Sequence, residues 1–397
     1  MSTATVPARR PSLVSALARI GVHRAWESIV QPLAHRLSDV PFRIEAVTAP
    51  WLTAALCAKT ADAKVVSFRL GDGSAGTSVR RRIHLTYNDV GRAAGLPATV
   101  FAKSTPNALT RMANGYSGTM ASEALFYAQL RPELSLEAPR GYHSAYDLRS
   151  YRSIHLLEDL VATKGATFCS PQTVINRRQA NEIVDTLAAF HGHFFGDPRL
   201  KSVFGAGLRS YPQWFMDGDR MANLRPGHEK AMTKAADVIP ADIRARREEI
   251  WPKLQESFAD HAQHPATLLH SDVHLGNWYV TGTGGMGLCD WQCVNHGVWA
   301  RDFAYAVSST LTIQDRRAWE RALLERYLGR LRACGQSIGL TDAWRLYRRQ
   351  LPAALLMWTP TLCHSPLLPD MQPEATSIEL IRRMTTAMSD LKALDAF

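Results

Sequence analysis

The stretch His270-Ser271-Asp272-Val273-His274-Leu275-Gly276-Asn277, followed by Gly287-Leu288-Cys289-Asp290-Trp291-Gln292, decides how the rest of the chain is read. Thr267 to His270, Trp278 to Thr281 and Met286 to Cys289 are short β-prone runs around Gly-rich turns, and they predict three strands. Asp272 and Asn277 stand five residues apart on the loop after the first of these. At that spacing one carboxylate can face a hydroxyl while one amide oxygen faces a cation. Asp290 brings a second carboxylate from the next hairpin. Hard cations prefer oxygen donors, and a triphosphate needs such cations to neutralise its charge.

Upstream of this segment the chain is β-rich. Val65 to Leu70 and Arg82 to Tyr87 predict a hairpin whose tip is the turn Gly71-Asp72-Gly73-Ser74-Ala75-Gly76-Thr77-Ser78. Backbone amides there could approach phosphate, because glycine has no Cβ. Ala98 to Lys103 predicts a third strand, Met112 to Leu130 a helix carrying Glu123, and Tyr151 to Leu157 a further strand. Phosphoryl transfer in protein kinases uses the same parts in the same order: a glycine turn, a strand Lys, a helix Glu, a loop Asp with an Asn five residues on, and a later Asp for magnesium.

Downstream of Val174 helices predominate. Arg178 to Phe195, Arg244 to His261 with a break at Pro252, Ile313 to Cys334, Thr341 to Trp358 and Ile378 to Leu394 carry amphipathic patterns. At the other end, Leu13 to Leu33 has apolar residues at helical spacing. Its acid-free, Arg-containing start faintly resembles a transit peptide, but a packed helix fits the spacing better.

Composition narrows the class further. The 397 residues are 46% hydrophobic and 21% charged, ordinary for a globular chain of two or three compact units. No apolar run approaches the roughly 18 residues of a membrane span. Net charge is +10, yet basic residues are dispersed apart from Arg80, Arg81 and Arg82. A nucleotide-sized phosphate ligand therefore fits better than nucleic acid. The six cysteines include no C-x-x-C pair, which argues against a disulfide framework or zinc ribbon and for thiols in a reducing compartment. A cytoplasmic location is expected.

With Lys103, Glu123 and the hinge-like Leu156-Leu157-Glu158-Asp159-Leu160, these segments resemble the aminoglycoside phosphotransferase and choline-kinase-like superfamily. They look most like its ecdysteroid-kinase-like branch, which shows H-x-D-x-x-x-x-N, then D-[FW]-Q, then D-[LF]-A, here Asp302-Phe303-Ala304. The ordered resemblance runs from about residue 65 to 360. It implies an α+β, bilobal protein-kinase-like fold with ATP or GTP in the cleft, Mg2+, and transfer of the γ-phosphate to a small-molecule hydroxyl. It implies Asp272 as catalytic base, and Asn277 and Asp290 as metal ligands. Gly73, Gly76, Ser78, Lys103, Glu123, Leu157, Glu158 and Leu160 would attend the nucleotide, with His270 and Asp302 bracing the loop. The implied division is a helical extension over 1–42, a small lobe over 43–155, a hinge over 156–161 and a large lobe over 162–397. Ser271 departs from the family's Gly and should tighten the loop.

Blander readings stand beside these. Asp272, Asn277 and Asp290 could be turn formers, Lys103 and Glu123 solvated charges, and Asp302 an N-cap. His191 and His193 read as ordinary core and surface histidines, since a metal pair needs i, i+4 spacing. His274 could have a direct role toward substrate or phosphate. Alternatives to the small-molecule kinase are a nucleotide-binding pseudokinase scaffold, an aminoglycoside kinase and a protein-directed kinase, the last lacking an A-P-E arrangement after Asp290. The acceptor is expected to be neutral or apolar. From Gly205 to Trp251 there is no acid cluster beyond the pair Glu248 and Glu249 to meet a polycation, and Tyr211, Trp214, Phe215, Trp251, Trp344 and Trp358, with a loop at Pro366 and Pro369, could line or cover a cleft. Oligomeric state is not legible.

Overall fold

A computed structural model describes residues 12–75, 78–202, 208–366, 368 and 370–397. Two compact units form: one holds the chain up to Glu133 with Pro139–Gly165, the other Leu134–Ala138, Ala166–Pro366 and Asp370–Phe397. The first is built on a β-sheet and the second is mainly helical, a mixed α+β architecture.

The first unit's sheet is antiparallel, in the order β1-β2-β3-β5-β4, with β1 Val65–Ala75, β2 Val79–Tyr87, β3 Thr99–Ser104, β4 Gly141–Asp147 and β5 Arg152–Glu158. Along β2, Ile83, Leu85 and Tyr87 are buried in alternation, the two-residue period of a half-buried strand. They pack with Val100, Ala102, Ile154 and Leu156 against Trp51 and Leu52 of helix Ala49–Leu56, which Thr48 caps. This core positions Lys103 near the end of β3 and leaves Leu157 and Glu158 ending β5.

Three expectations for this unit change. The glycine turn is shorter than its composition suggests, because β1 continues through Gly71 and Gly73 to Ala75. A Cβ at Gly73 would lie 2.5 Å from the Arg80 carbonyl oxygen, so close approach of β1 and β2 demands glycine there. Gly76 lies outside the described residues. Second, β4 was not foreseen: Gly-Tyr-His-Ser-Ala-Tyr-Asp hides its alternation behind polar residues, as an edge strand tolerates. Third, the helix expected over Met112 to Leu130 is interrupted. Wide π-type turns over Arg111–Tyr116 and Phe126–Leu130 flank a regular helix Thr119–Leu125, and Gly118 (φ 82°) breaks the chain before it.

The first helix, Leu13–Val30, stops two residues before Pro32. It is fastened to this unit by Glu27, whose carboxylate forms a buried two-pronged pair with Arg111 at 2.6 and 3.0 Å.

The second unit centres on helix Ala300–Thr310, every residue of which is buried. Around it run Arg177–His193, Ile313–Ala333, Leu340–Arg349 and Glu374–Asp390. Two small sheets accompany them: β6 Thr167–Phe168, β8 Trp278–Val280 and β9 Met286–Leu288 form one, and β7 Thr267–Leu269 pairs with β10 Asn295–Gly297 in the other. Pro252 does not break the chain where expected. It stands inside helix Arg247–Ser257, and the breaks fall at Arg246 and beyond Ser257. The long helix expected over Thr341 to Trp358 divides at Gln350, because Pro352 can begin a helix but cannot continue one. Among the described residues no helix is long and apolar enough to cross a membrane.

Candidate active site

The loop after β7 is held from below by one carboxylate. Asp302, in the first turn of helix Ala300–Thr310, accepts the His270 N–H at 2.7 Å on one oxygen and the Ser271 N–H at 3.0 Å on the other. Burial raises its pKa, but the neighbouring His191, Arg301 and His270 outweigh that, and it lies below the ordinary carboxylate range. A charge-assisted bond to each of two successive amides fixes the direction of the loop. Ser271 takes a left-handed conformation (φ 64°), which accounts for the family's glycine there: without a Cβ the conformation is unstrained. The serine hydroxyl is buried and finds no partner among the described residues.

His270 locks the loop to the hairpin. Its Nδ1 accepts the Asp272 N–H at 3.2 Å, so its Nε2–H donates to the Cys289 carbonyl at 3.0 Å. Accepting at Nδ1 requires the neutral ring, in keeping with burial lowering its pKa.

Asp272 is half-buried, and neutral donors orient its carboxylate. Tyr305 Oη–H donates to Oδ1 at 3.1 Å, and Asn277 Nδ2 donates to Oδ2 at 3.1 Å and to the Asp272 carbonyl at 2.7 Å. Burial, with the Asp272 charge second, holds the Tyr305 phenol well above its usual pKa, so it stays a donor. The buried Trp358 indole donates to Tyr305 Oη at 2.7 Å, extending the chain Trp358 to Tyr305 to Asp272. His274 Nδ1 accepts the Gly276 N–H at 3.1 Å, its ring meets Trp358 edge-on at 5.1 Å, and its Nε2 lies 3.7 Å from Asp272 Oδ2.

The hairpin ties the Asn277 backbone to the residue before Asp290. The register of β8 and β9 sets Trp278 opposite Leu288, and the Cys289 N–H donates to the Asn277 carbonyl at 2.9 Å, which puts Asp290 one residue beyond that bond. Since the Asn277 amide nitrogen is directed at Asp272, its Oδ1 is the acceptor left to receive a cation. Asp290 takes a left-handed conformation (φ 61°) that Asp tolerates better than most residues. An amide oxygen and a carboxylate suit Mg2+, which keeps waters and phosphate oxygens as its other ligands. They do not make a protein-only cage: among the described residues no group of three His, Cys, Asp or Glu could hold a metal. The cysteines beside this site are thiols, Cys289 Sγ contacting the Asn277 carbonyl at 3.2 Å and Cys293 buried.

The first unit carries the other predicted group. Lys103 Nζ lies 2.9 Å from the Glu123 carboxylate, both side chains are buried, and His155 Nε2 lies 3.7 Å from Glu123. Ser78 is buried just before β2 with its hydroxyl unpartnered among the described residues. Leu160 opens the short helix after β5. The Glu158 carboxylate holds its own segment, accepting the Arg140 N–H at 3.1 Å and the Thr163 hydroxyl at 2.8 Å. Of the arginine run, Arg81 pairs with Glu45 at 2.6 Å and Arg82 with Asp159 at 2.5 Å, as opposite strand faces should.

Three residues have a place at this loop that the sequence reading did not give them. Tyr305 lies one turn after Asp302 on the same helix face, a spacing that could have suggested it. Trp358 comes from a distant element, with no local signal. His191, read only as packing, is fully buried, with Nε2 3.5 Å from Asp302 and Nδ1 hydrogen-bonded to Tyr327 Oη at 2.7 Å.

The sequence profile of the phosphotransferase enzyme family matches residues 93–364. The chain belongs to that family, and its class is a phosphotransferase. The match includes Lys103, Glu123 and the 270–290 segment, while β1, β2 and their glycine turn precede it. Solved structures similar to the chain include a Plasmodium vivax ethanolamine kinase, 12% identical over 94% of this chain and 95% of that one, TM-score 0.47. An aminoglycoside phosphotransferase from Streptomyces rimosus is 14% identical over 72% and 92%, TM-score 0.41. A macrolide 2'-phosphotransferase from Brachybacterium faecium is 14% identical over 74% and 84%, TM-score 0.41. No curated protein matches the sequence.

Proposed function

We propose that this chain transfers the γ-phosphate of ATP or GTP to a hydroxyl of a neutral or weakly charged small molecule, with Mg2+ as cofactor. The observation that carries this is the Asp272 carboxylate, held by two neutral donors, the Tyr305 phenol and the Asn277 amide. Asp272 accepts the acceptor's hydroxyl proton as that oxygen bonds to the γ-phosphorus, the bond to the β-phosphate oxygen breaks, and the nucleoside diphosphate leaves. Asn277 Oδ1 and Asp290 hold the magnesium, which when bound neutralises charge on the phosphate oxygens. Lys103, kept in place by Glu123, meets the α and β phosphates. The 157–160 backbone receives the base, and Ser78 with the neighbouring glycines lies along the phosphates. Asp302 and His270 keep the loop in register. The sequence features Asp290-Trp291-Gln292 and Asp302-Phe303-Ala304 favour the ecdysteroid-kinase-like branch.

Burial of Tyr211, Phe215, Trp251 and Trp358 assigns those aromatics to the core and leaves only the half-buried Trp214 and Trp344 as candidates to meet an apolar acceptor. Charge supports a neutral acceptor better. Between Gly205 and Trp251 eight Lys and Arg stand against seven Asp and Glu, and three of those acids pair with local arginines, Asp217 with Arg209, Glu229 with Arg225 and Glu249 with Arg246, which leaves little net negative field for a polycation. Nucleotide consumption over a library of hydroxylated metabolites and antibiotics tests this. Magnesium-dependent turnover of neutral alcohols is expected. Turnover confined to aminoglycosides would overturn the acceptor class, and nucleotide binding without turnover of any compound would favour a binding protein.

A further inference from the structure

Helix Leu13–Val30 presents an apolar face to solvent. Among the described residues, eight of the fifteen exposed large hydrophobic side chains lie between Val14 and Leu37. Val14 is 76% exposed, Val22 70% and Ile29 82%, with Trp26 at 47%. At 3.6 residues per turn, Val14, Val22 and Ile29 share one face with Ala18, Gly21 and Ala25. A Cβ at Gly21 would meet nothing within 4 Å, so this face is open. The opposite face is the anchored one, where Ala16 and Ile20 are buried and Glu27 holds Arg111. Scattered surface apolar residues need no explanation, but a contiguous strip on one helix marks a surface that is covered in use.

Charge identifies the cover. Arg24 borders one edge of the strip and Arg19 the other, both exposed, and His35 and Arg36 follow. The only acid between Ser12 and Leu37 is Glu27, which is buried in its ion pair. A second copy of this helix would bring the same basic edges with no acid to meet them. An anionic lipid surface supplies what both features lack: apolar depth for Val22 and Ile29, phosphate for the arginines, and an interfacial level for Trp26. We propose that the Leu13–Val30 helix is a docking face for an anionic membrane surface, lying in its plane and fixed to the β-sheet unit by the Glu27–Arg111 pair.

The test uses the full chain and sedimentation with vesicles of phosphatidylcholine, alone or with about one third phosphatidylglycerol. Binding to the anionic vesicles only, weakened by salt, is expected. Val22→Asp with Ile29→Asp, both exposed and so compatible with folding, should reduce binding more than about tenfold, and Arg19→Glu with Arg24→Glu should abolish the preference for anionic lipid. A vesicle-induced blue shift in tryptophan fluorescence should be lost in Trp26→Phe. No binding to either vesicle would overturn the proposal. So would concentration-dependent dimerisation of the lipid-free chain that Val22→Asp abolishes, since a second copy would then own the face.

Discussion

The β-sheet unit and the helical unit hold their working charges by opposite means. In the first, charge meets charge: Lys103 with Glu123, Arg111 with Glu27 and Arg82 with Asp159, each a direct ion pair at 2.9 Å or less. In the second, Asp302 grips backbone amides, and Asp272 is turned by a phenol and a carboxamide. An ion pair fixes a cation for a ligand to meet, at the cost of cancelling much of its partner's field. A carboxylate oriented by neutral donors keeps its negative charge, which a base needs.

The sharpest way to break the contrast is Asp272→Asn, which preserves shape and removes the base. Turnover should fall about 10² to 10⁴-fold while nucleotide affinity holds. Near wild-type turnover would leave Asp272 a turn former.

Acid pH should strain the helical unit more. Burial depresses His228 and His296 to about 4 and His261 to about 3 there, whereas His143, at about 4, is the comparable case in the sheet unit. The unfolded chain takes up these protons first as pH drops below about 6.5, so their stabilisation is complete above that pH and is lost on the way down to about 4. At pH 5 each should cost about 1–2 kcal/mol. Denaturant titration at pH 7 and pH 5, with hydrogen exchange assigning protection to each unit, checks this. Equal loss in both units would contradict it.

Within the sheet unit, Glu123→Ala leaves Lys103 buried without that carboxylate and should destabilise by about 3–5 kcal/mol. Lys103→Ala with Glu123→Ala should cost clearly less than the sum of the single changes. Additive losses would mean that the pair is not coupled.

Tyr305→Phe should lower turnover roughly tenfold with little change in KM, because Asp272 loses orientation while binding groups remain. Leaving the Trp358 indole without its acceptor should also cost about 1–3 kcal/mol. An unchanged turnover would assign Tyr305 to packing. The smallest effect is a gain: Ser271→Gly relieves a left-handed residue and should stabilise by about 1 kcal/mol, read as a raised Tm.

Much of the helical unit's candidate site was legible because it is local. A loop and the next hairpin carry Asp272, Asn277 and Asp290 within twenty residues, so spacing alone aligns them. Lys103 and Glu123, also twenty residues apart, were legible only as an ordered strand and helix, and packing brings them to 2.9 Å. The glycine turn was legible only in composition, since β1 runs on through Gly71 and Gly73 and the approach of β2 demands glycine at Gly73 as well. The wide turns around Thr119–Leu125 left no mark in a periodicity that fits a regular helix equally well.

The amino-acid order by itself determined the α+β class, the family and the candidate catalytic loop, because these depend on periodicity and on residues close in the chain. Only the tertiary structure decided what surrounds Asp272. Tyr305 and Trp358 reach it from elements 33 and 86 positions along the chain, and of the six aromatics that could have lined a cleft four are buried, Tyr211, Phe215, Trp251 and Trp358. It also decided that one face of the first helix remains uncovered. Burial is a property of the packed chain: a helical stripe shows which residues share a side, while packing settles which side is inside.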